Sequence, residues 1–186
     1  MKRLALVATI LLLGIGLSAP LTAQGQTSIQ IGPRLGIPFG DVSDAGGNFF
    51  LGADARIDSE ALPVLVNPSF DYYLLDDRTI NGQDVGQSII AVDINALYEF
   101  GIDNQAFAPY AGGGLAITRS SVDEQTFNTG FGSVTVGGGS NTEVGLNLVG
   151  GARFPLGSVD PFVQLNATLG GDVQRLGLAG GLLFSF

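Results

Sequence analysis

The stretch Ile89-Ile-Ala-Val-Asp-Ile-Asn-Ala-Leu-Tyr-Glu-Phe100 decides the fold, because its apolar and polar residues alternate with a period of two. One parity is apolar or aromatic: Ile90, Val92, Ile94, Ala96, Tyr98 and Phe100. The other parity carries Ala91, Asp93, Asn95 and Glu99. Since successive side chains of a strand point to opposite faces, the pattern predicts a strand with one apolar and one polar face.

Seven further segments repeat this alternation along the chain. They are Ile29–Phe39, Phe49–Asp58, Val64–Leu74, Tyr110–Thr118, Glu143–Phe154, Phe162–Leu169 and Arg175–Phe186. Each is close to the roughly 9–11 residues that a tilted strand needs to cross a bilayer. The sequence therefore predicts an all-β fold, an eight-stranded antiparallel up-and-down transmembrane β-barrel. Pro33 and Pro68 fall inside predicted strands, where each removes a ladder donor, so we expect bulges or shifted strand limits there.

Connection lengths and aromatic residues support a barrel that spans a membrane. If the first strand runs outward, the predicted outer connections are Gly40–Asn48, Asp76–Gly86, Arg119–Thr142 and Gly171–Gln174, and the inner ones are Ser59–Ala61, Gly101–Ala106 and Leu156–Asp160. Most outer connections are longer, as in outer-membrane barrels. Aromatic residues of the apolar parity form two belts, Phe39, Phe49 and Tyr72 near one end and Tyr98, Phe100, Phe154, Phe184 and Phe186 near the other. The alternative is a soluble barrel or sandwich whose apolar parity points inward.

The N-terminal residues have the pattern of an export signal. Lys2 and Arg3 precede the apolar run Leu4–Leu17, and Ala23 provides a small residue before a cleavage point at Gln24. We expect residues 1–23 to be removed and residues 24–186 to form the barrel; the alternative, a membrane anchor, needs a longer apolar stretch. The mature part keeps six arginines against 17 carboxylates, a net charge of −11, which excludes nucleic acid as an expected partner.

The chain ends in Gly180-Gly-Leu-Leu-Phe-Ser-Phe186, so a terminal phenylalanine closes the alternating last strand. This ending, the export signal and the eight alternating segments together carry a family resemblance. The chain resembles the small bacterial outer-membrane barrel proteins of the OmpA/OmpX type. The resemblance implies outer-membrane lipid as the surroundings and Phe184 and Phe186 as the signal that the barrel assembly machinery recognises. It says little about activity, because the family includes adhesion, structural, transport and enzymatic members.

The residues that could carry chemistry are few. The chain has no histidine and no cysteine, so histidine-based catalysis and zinc sites built on either residue are excluded, and we expect neither an enzyme nor a cofactor. The polar parity instead predicts an interior charged cluster: Arg34, Asp54, Arg56, Asp71, Asp93, Glu99, Glu143, Arg153 and Arg175. Paired charges would plug a lumen that eight strands make just wide enough for side chains. The alternative is a polar conduit.

The predicted function is a structural or surface-interaction role expressed through the outer connections, by a barrel that is a monomer. Arg119–Thr142, with Asp123, Glu124, Phe127 and Phe131, is the segment most free to contact a surface ligand. The same segment could instead extend a hairpin above the membrane through residues 133–136. The alternative function is a narrow pore or transporter for small ions or small apolar molecules. Inward glycines could make room for neighbouring rings such as Phe50 and Phe162, or they could leave small pockets, and pockets would favour this alternative.

Overall fold

The computed structural model describes residues 27–76, 78–80, 83–102, 106–129, 132–171 and 173–186. The predicted signal segment, residues 1–23, lies outside these ranges. The strands of the described ranges are β1 Thr27–Phe39, β2 Gly47–Ser59, β3 Leu65–Leu75, β4 Arg78–Ile80, β5 Gln83–Val85, β6 Gln87–Glu99, β7 Ala108–Thr129, β8 Gly132–Arg153, β9 Val159–Leu169 and β10 Leu176–Ser185. The short strands β4 and β5 pair with each other. The other eight are antiparallel and close into a barrel in the order β1-β2-β3-β6-β7-β8-β9-β10. The predicted eight-stranded up-and-down barrel is confirmed.

The parity of the sequence determines which side of the barrel wall each residue faces. In β1, Leu35 and Ile37 are exposed on the outside, while Arg34 and Gly36, which alternate with them, are buried in the lumen. The same arrangement, with apolar residues outside and polar residues inside, holds in β6, where Ile94 is exposed and Asp93 and Asn95 are buried. Because the apolar parity points outward, the alternative of a soluble barrel with an apolar interior is wrong. An apolar outer wall with a hydrogen-bonded interior is what a bilayer requires of a closed sheet.

The two ends of the barrel differ in their connections. One end, here called the terminal end, carries the start of β1 and the end of β10, and its three turns are short. The other, the loop end, carries the helix α1, Asp41–Asp44, between β1 and β2 and the hairpin of β4, Arg78–Ile80, with β5, Gln83–Val85, between β3 and β6. No helix in the described ranges is long and apolar enough to cross a membrane.

The longest connection of the loop end is a regular hairpin rather than an irregular loop. Pairing between β7 and β8 continues without a register shift from Ala108–Arg153 to Thr129–Gly132. The hairpin that the sequence offered as one possibility for residues 119–142 is therefore present, and contact of this segment with a ligand stays a prediction. Pairing of β6 with β7 ends at Gln87–Val122, and pairing of β8 with β9 ends at Leu146–Leu169. The outer part of the hairpin thus projects beyond the ladders of its two neighbours.

The prolines inside strands do not disturb the register. Pro33 lies opposite Ala53 and Pro68 lies opposite Ile94, each within an unshifted ladder. The expected bulges at these positions are wrong. In the described ladders the register shifts instead between Gly47 and Phe49, where β2 begins. At Pro33 the ladder to β10 omits two residue pairs between Ile31–Phe184 and Arg34–Gly181 and then resumes in the same register.

Candidate functional site in the barrel interior

The centre of the lumen contains an ion network from three adjacent strands. Arg34 of β1, Asp54 of β2 and Asp71 of β3 all lie on the inward parity and are buried. Arg34 binds Asp71 through two parallel hydrogen bonds, one from Nε to Oδ1 at 2.6 Å and one from Nη2 to Oδ2, and its Nη1 lies 3.1 Å from Asp54 Oδ2. A planar guanidinium suits such a two-point contact with a carboxylate.

Arg56 lies next to this network but has weaker charge compensation. Its Nε is 3.5 Å from Asp54 Oδ1, and its Nη2 donates to the hydroxyl of Tyr110 at 2.7 Å. The guanidinium carbon lies 4.2 Å from the ring centroid of Tyr110 and 4.9 Å from that of Phe162. Two ring faces and a shared carboxylate therefore surround a cation that is about 1% exposed.

A third buried pair lies toward the loop end. Arg175 Nη2 donates to Asp93 Oδ1 at 2.5 Å, and Arg175 Nη1 is 3.3 Å from the hydroxyl of Tyr73. Above it, apolar side chains form a cluster that we call the apolar seal: Val42, Phe50, Tyr73, Ile89, Ala91 and Ala179. Val42 comes from α1, is 0% exposed, and is the residue by which the first outer connection enters the lumen. Leu75 and Val173 pack against the seal.

Side-chain amides connect the ion network to the far wall, and the interior set predicted from the sequence did not include them. Asn67 donates to Asp54 at 2.9 Å, Asn95 donates to Asn67 at 3.1 Å, and Asn147 donates to Asn95 at 2.9 Å. Thr168 then donates to Asn147 at 3.2 Å. These residues lie on the inward parity of four strands, so the alternation contained the signal. Their link became visible only when the strand registers placed the amides at one height.

The terminal end has its own, more open ion cluster. Arg153 donates to Glu99 at 2.6 Å and to Asp160 at 2.7 Å, and Gln30 donates to Asp160 at 2.8 Å. Side-chain exposure is 18% for Arg153 and 26% for Glu99. Asp160, which the predicted boundaries assign to a turn, belongs to β9 and shares the inward parity of Phe162. Extending that alternation past Pro161 would have found it.

The remaining predicted residues lie at the edges of the barrel. Glu143 sits near the rim of the loop end, where Asn141 donates to it at 2.7 Å and the backbone of Val173 donates at 3.1 Å. Phe184 and Phe186 are on the outward parity at the terminal end, and Phe186 is 86% exposed. The predicted interior residues therefore fall into four groups. One group contains Arg34, Asp54, Arg56 and Asp71. Two separate pairs are Asp93 with Arg175 and Glu99 with Arg153, and Glu143 lies apart near the rim.

Inward glycines provide the space that aromatic rings fill. A Cβ on Gly36 would lie 2.3 Å from Cζ of Phe50, and one on Gly181 would lie 2.5 Å from Cε1 of Phe162. Both distances are far below van der Waals contact, so each ring occupies the volume that a side chain on the glycine would need. Of the two expected uses of these glycines, room for neighbouring rings is the one seen here.

A cavity of about 300 Å³, here called the terminal cavity, opens at the terminal end. Arg56, Glu99 and Arg153 line it together with Gln30. Its apolar wall consists of residues 62–64 of the β2–β3 turn, Leu65 and Leu97. In the described part of the chain, five buried side-chain atoms have no hydrogen-bond partner: Arg56 Nη1, Ser69 Oγ, Glu99 Oε2, Arg153 Nε and Arg175 Nε. Three of the five belong to residues that line this cavity.

The charged side chains of this interior pair with one another. In the described ranges no three residues with carboxylate, imidazole or thiol groups come together as metal ligands. The arrangement fills the centre of the barrel, closes the loop end with apolar contacts and leaves a polar cavity at the terminal end.

Three solved structures of bacterial proteins have the same fold. The N-terminal β-barrel domain of OprF from Pseudomonas aeruginosa superposes with a TM-score of 0.57 at 18% identity, covering 88% of this chain and 100% of that one. Neisserial surface protein A superposes with a TM-score of 0.54 at 18% identity, covering 86% and 97%. Ail, the attachment invasion locus protein of Yersinia pestis, superposes with a TM-score of 0.55 at 17% identity, covering 87% and 99%.

The family assignment rests on sequence as well as on fold. No curated protein matches the chain in sequence. The family model described as outer membrane protein beta-barrel domain matches residues 8–181, which is most of the chain. This match agrees with the closed eight-stranded sheet and the apolar outer wall that the structure shows. The chain belongs to the outer membrane protein β-barrel domain family, whose members resemble OmpA and OmpX.

Proposed function

We propose that this protein is a non-enzymatic barrel of the bacterial outer membrane whose interior is closed by paired charges and whose role is a surface interaction made by the loop end. The observation that carries the proposal is the contrast between the sealed lumen and the projecting β7–β8 hairpin. The lumen holds buried, paired arginines beneath the apolar seal. The hairpin places polar, glycine-rich backbone beyond the barrel rim.

The hairpin supports a binding role because it projects beyond the ladders of its neighbours. The ladder of β8 with β9 ends at Leu146–Leu169, whereas the ladder of β8 with β7 continues to Thr129–Gly132. On the β7 side, Asp123 N–H donates to the carbonyl of Gly86, and the ladder with β6 has already ended. A strand edge that projects beyond the neighbouring strand can accept an added strand of a partner protein through main-chain hydrogen bonds. The partner class that fits is an extended polypeptide segment on another molecule.

Orientation and assembly follow from the same proposal. Outer-membrane barrels keep short turns in the periplasm and long connections outside, so the terminal end faces the periplasm and the loop end faces the exterior. Phe184 and Phe186 lie on the last strand, where the assembly machinery would recognise them, and the outer wall contacts lipid. Residues 1–23 would direct export and be removed. The uninterrupted apolar wall suits a monomer.

The transport alternative predicts conduction, and conduction is measurable. Purified mature protein, shown to be folded by its heat-shifted gel mobility, is placed in a planar bilayer and its single-channel current is recorded. The proposal expects a silent barrel, because buried ion pairs and the apolar seal obstruct the lumen. Reproducible current steps would overturn the closed interior and favour a narrow pore.

The surface role is tested by removing the hairpin alone. In the variant, residues 124–137 are replaced by Asn-Gly, a sequence suited to a two-residue turn. Cells that display the full barrel should adhere to glass coated with serum proteins, and cells that display equal amounts of the shortened barrel should not. A matched variant with α1 residues 41–44 replaced by glycines should retain adhesion. Equal adhesion of full and shortened barrels would contradict the role of the hairpin.

A further inference from the structure

The outer wall formed by β6, β7 and β8 changes its chemistry over three successive rows toward the loop end. The first row is aliphatic and exposed, and its paired residues are Val92, Ile117 and Val144. The next row on the same face consists of Ile90, Arg119 and Thr142, and the third consists of Ser88, Ser121 and Ser140. Rows on one face are two residues apart, so the wall passes from aliphatic to hydroxyl side chains within about 13 Å along the strands.

Arg119 differs from the other arginines on the barrel strands. Those have the inward parity, and each forms an ion pair with a carboxylate: Arg34, Arg56, Arg153 and Arg175. Arg119 has the outward parity and is exposed. Its Nη2 donates to Ser140 Oγ at 2.9 Å, so the guanidinium leans toward the hydroxyl row and away from the aliphatic row. A cationic side chain on a lipid-facing wall takes this direction, because its stem covers apolar surface while its charge stays at the level of the headgroups.

The charge of the whole protein does not attract anions. Without residues 1–23 the chain keeps six arginines against 17 carboxylates, a net charge of −11. Farther out on β7, Asp123 and Glu124 follow the hydroxyl row. An anion held at this wall must therefore be held by local contacts. A phosphate group suits them, because a guanidinium binds phosphate through parallel hydrogen bonds and hydroxyls donate to the remaining phosphate oxygens.

The polar part of this face is here called the headgroup patch: Ser88, Arg119, Ser121, Ser140 and Thr142. We propose that the headgroup patch binds the phosphate-bearing headgroup of a lipid of the outer leaflet. The acyl chains of that lipid lie on the aliphatic row, which continues the same wall and favours a lipid over a soluble phosphate. The proposal uses the proposed orientation of the barrel only to assign the leaflet. It does not depend on the hairpin, so the adhesion role can fail while lipid binding stands.

The experiment uses the absence of tryptophan from the chain. Val144→Trp places a single fluorescent reporter in the aliphatic row, next to Ile117 and one row below Arg119. The mature barrel, shown to be folded by its heat-shifted gel mobility, is placed in phosphatidylcholine vesicles that contain a minor fraction of phosphatidic acid. Quenching by brominated phosphatidic acid is compared with quenching by brominated phosphatidylcholine at the same fraction. Phosphatidic acid should be preferred about threefold, the size of one exposed charge pair. Equal quenching by the two lipids would overturn the proposal.

Variants of Arg119 and a second reporter assign the preference to the patch. Arg119→Gln should remove the preference for phosphatidic acid, and Arg119→Lys should keep part of it, because the charge remains. The control reporter is Ile37→Trp, an exposed outward position of β1 on the opposite side of the barrel. It should show no preference, with or without Arg119→Gln. A preference that persists in Arg119→Gln, or one that is equally strong at Ile37→Trp, would overturn the assignment.

Inorganic phosphate separates a lipid site from a site for a soluble anion. Adding millimolar inorganic phosphate, against sodium chloride of the same ionic strength, should leave the preference at Val144→Trp unchanged. The free ion makes no contact with the aliphatic row, so it should compete poorly with a lipid that does. Loss of the preference with phosphate, but not with chloride, would overturn the lipid assignment and identify a soluble phosphate as the ligand.

Discussion

The two ends of the lumen are built from the same residue types and differ in how they are closed. Toward the loop end, the pair Arg175–Asp93 lies beneath the apolar seal, with side chains 4% and 2% exposed. At the terminal end, the pair Arg153–Glu99 borders a cavity, with side chains 18% and 26% exposed. Both pairs join an arginine to a carboxylate at hydrogen-bond distance. Burial is therefore the variable that separates them.

The difference follows from what each connection contributes. The first outer connection forms α1, which carries Val42 into the lumen above Phe50 and Tyr73. At the terminal end the β2–β3 turn borders the cavity, and Leu62 remains 48% exposed. A membrane barrel thus needs only one end sealed to prevent continuous passage. The open end can keep polar groups available to solutes without making a channel.

The largest expected effect comes from breaking the sealed pair. Arg175→Ala should lower the free energy of unfolding by about 3–5 kcal/mol, because Asp93 is left as an uncompensated buried charge. Urea unfolding of the barrel in lipid vesicles measures this. The double variant Arg175→Leu with Asp93→Leu should lose much less, since neither charge remains. If the single and double variants were equally stable, charge pairing would not be what holds this part of the lumen.

A smaller effect is expected at the apolar seal. Val42→Ala removes two carbon atoms from a fully buried site and should destabilise the local structure by about 1–2 kcal/mol. The amide of Asp44, which donates to the carbonyl of Gly40 at 2.8 Å, should then exchange its hydrogen about tenfold faster. Leu62→Ala, at the half-exposed counterpart of the terminal end, is the matched control and should change stability by less than about 0.5 kcal/mol. Unchanged exchange at Asp44 would mean that α1 is not held by Val42.

The architecture was predictable because a period of two requires no knowledge of neighbours. Alternation alone places Arg34, Asp54, Asp71 and Asp93 on the inward face, and the structure has each of them there. The identity of the pairs was not predictable, since it depends on the relative heights of the strands. Arg34 binds Asp71 two strands away. That contact needs the registers of β1 with β2 and of β2 with β3 together.

Two local features escaped prediction for different physical reasons. Val42 follows Gly40, whose φ of 65° turns the chain back toward the lumen, and no periodic pattern signals such a reversal in a short connection. Asp160 escaped because Pro161 follows it and suggests a turn. The proline fits within β9, opposite Leu182 of β10. A proline therefore marks the loss of one donor, and it does not by itself mark the end of a strand.

The smallest expected effect lies at the open end and completes the comparison. Arg153→Gln should lower the free energy of unfolding by less than about 1 kcal/mol, because the side chains of Arg153 and Glu99 are partly solvated. Solvated pairs are also screened by salt, so raising the ionic strength to about 1 M should remove most of that difference. The loss in Arg175→Ala should persist in the same buffer, since buried charges are beyond the reach of counterions. A salt-insensitive loss at Arg153 would place its pair in the same class as Arg175–Asp93, and burial would no longer explain how the two ends of the lumen differ.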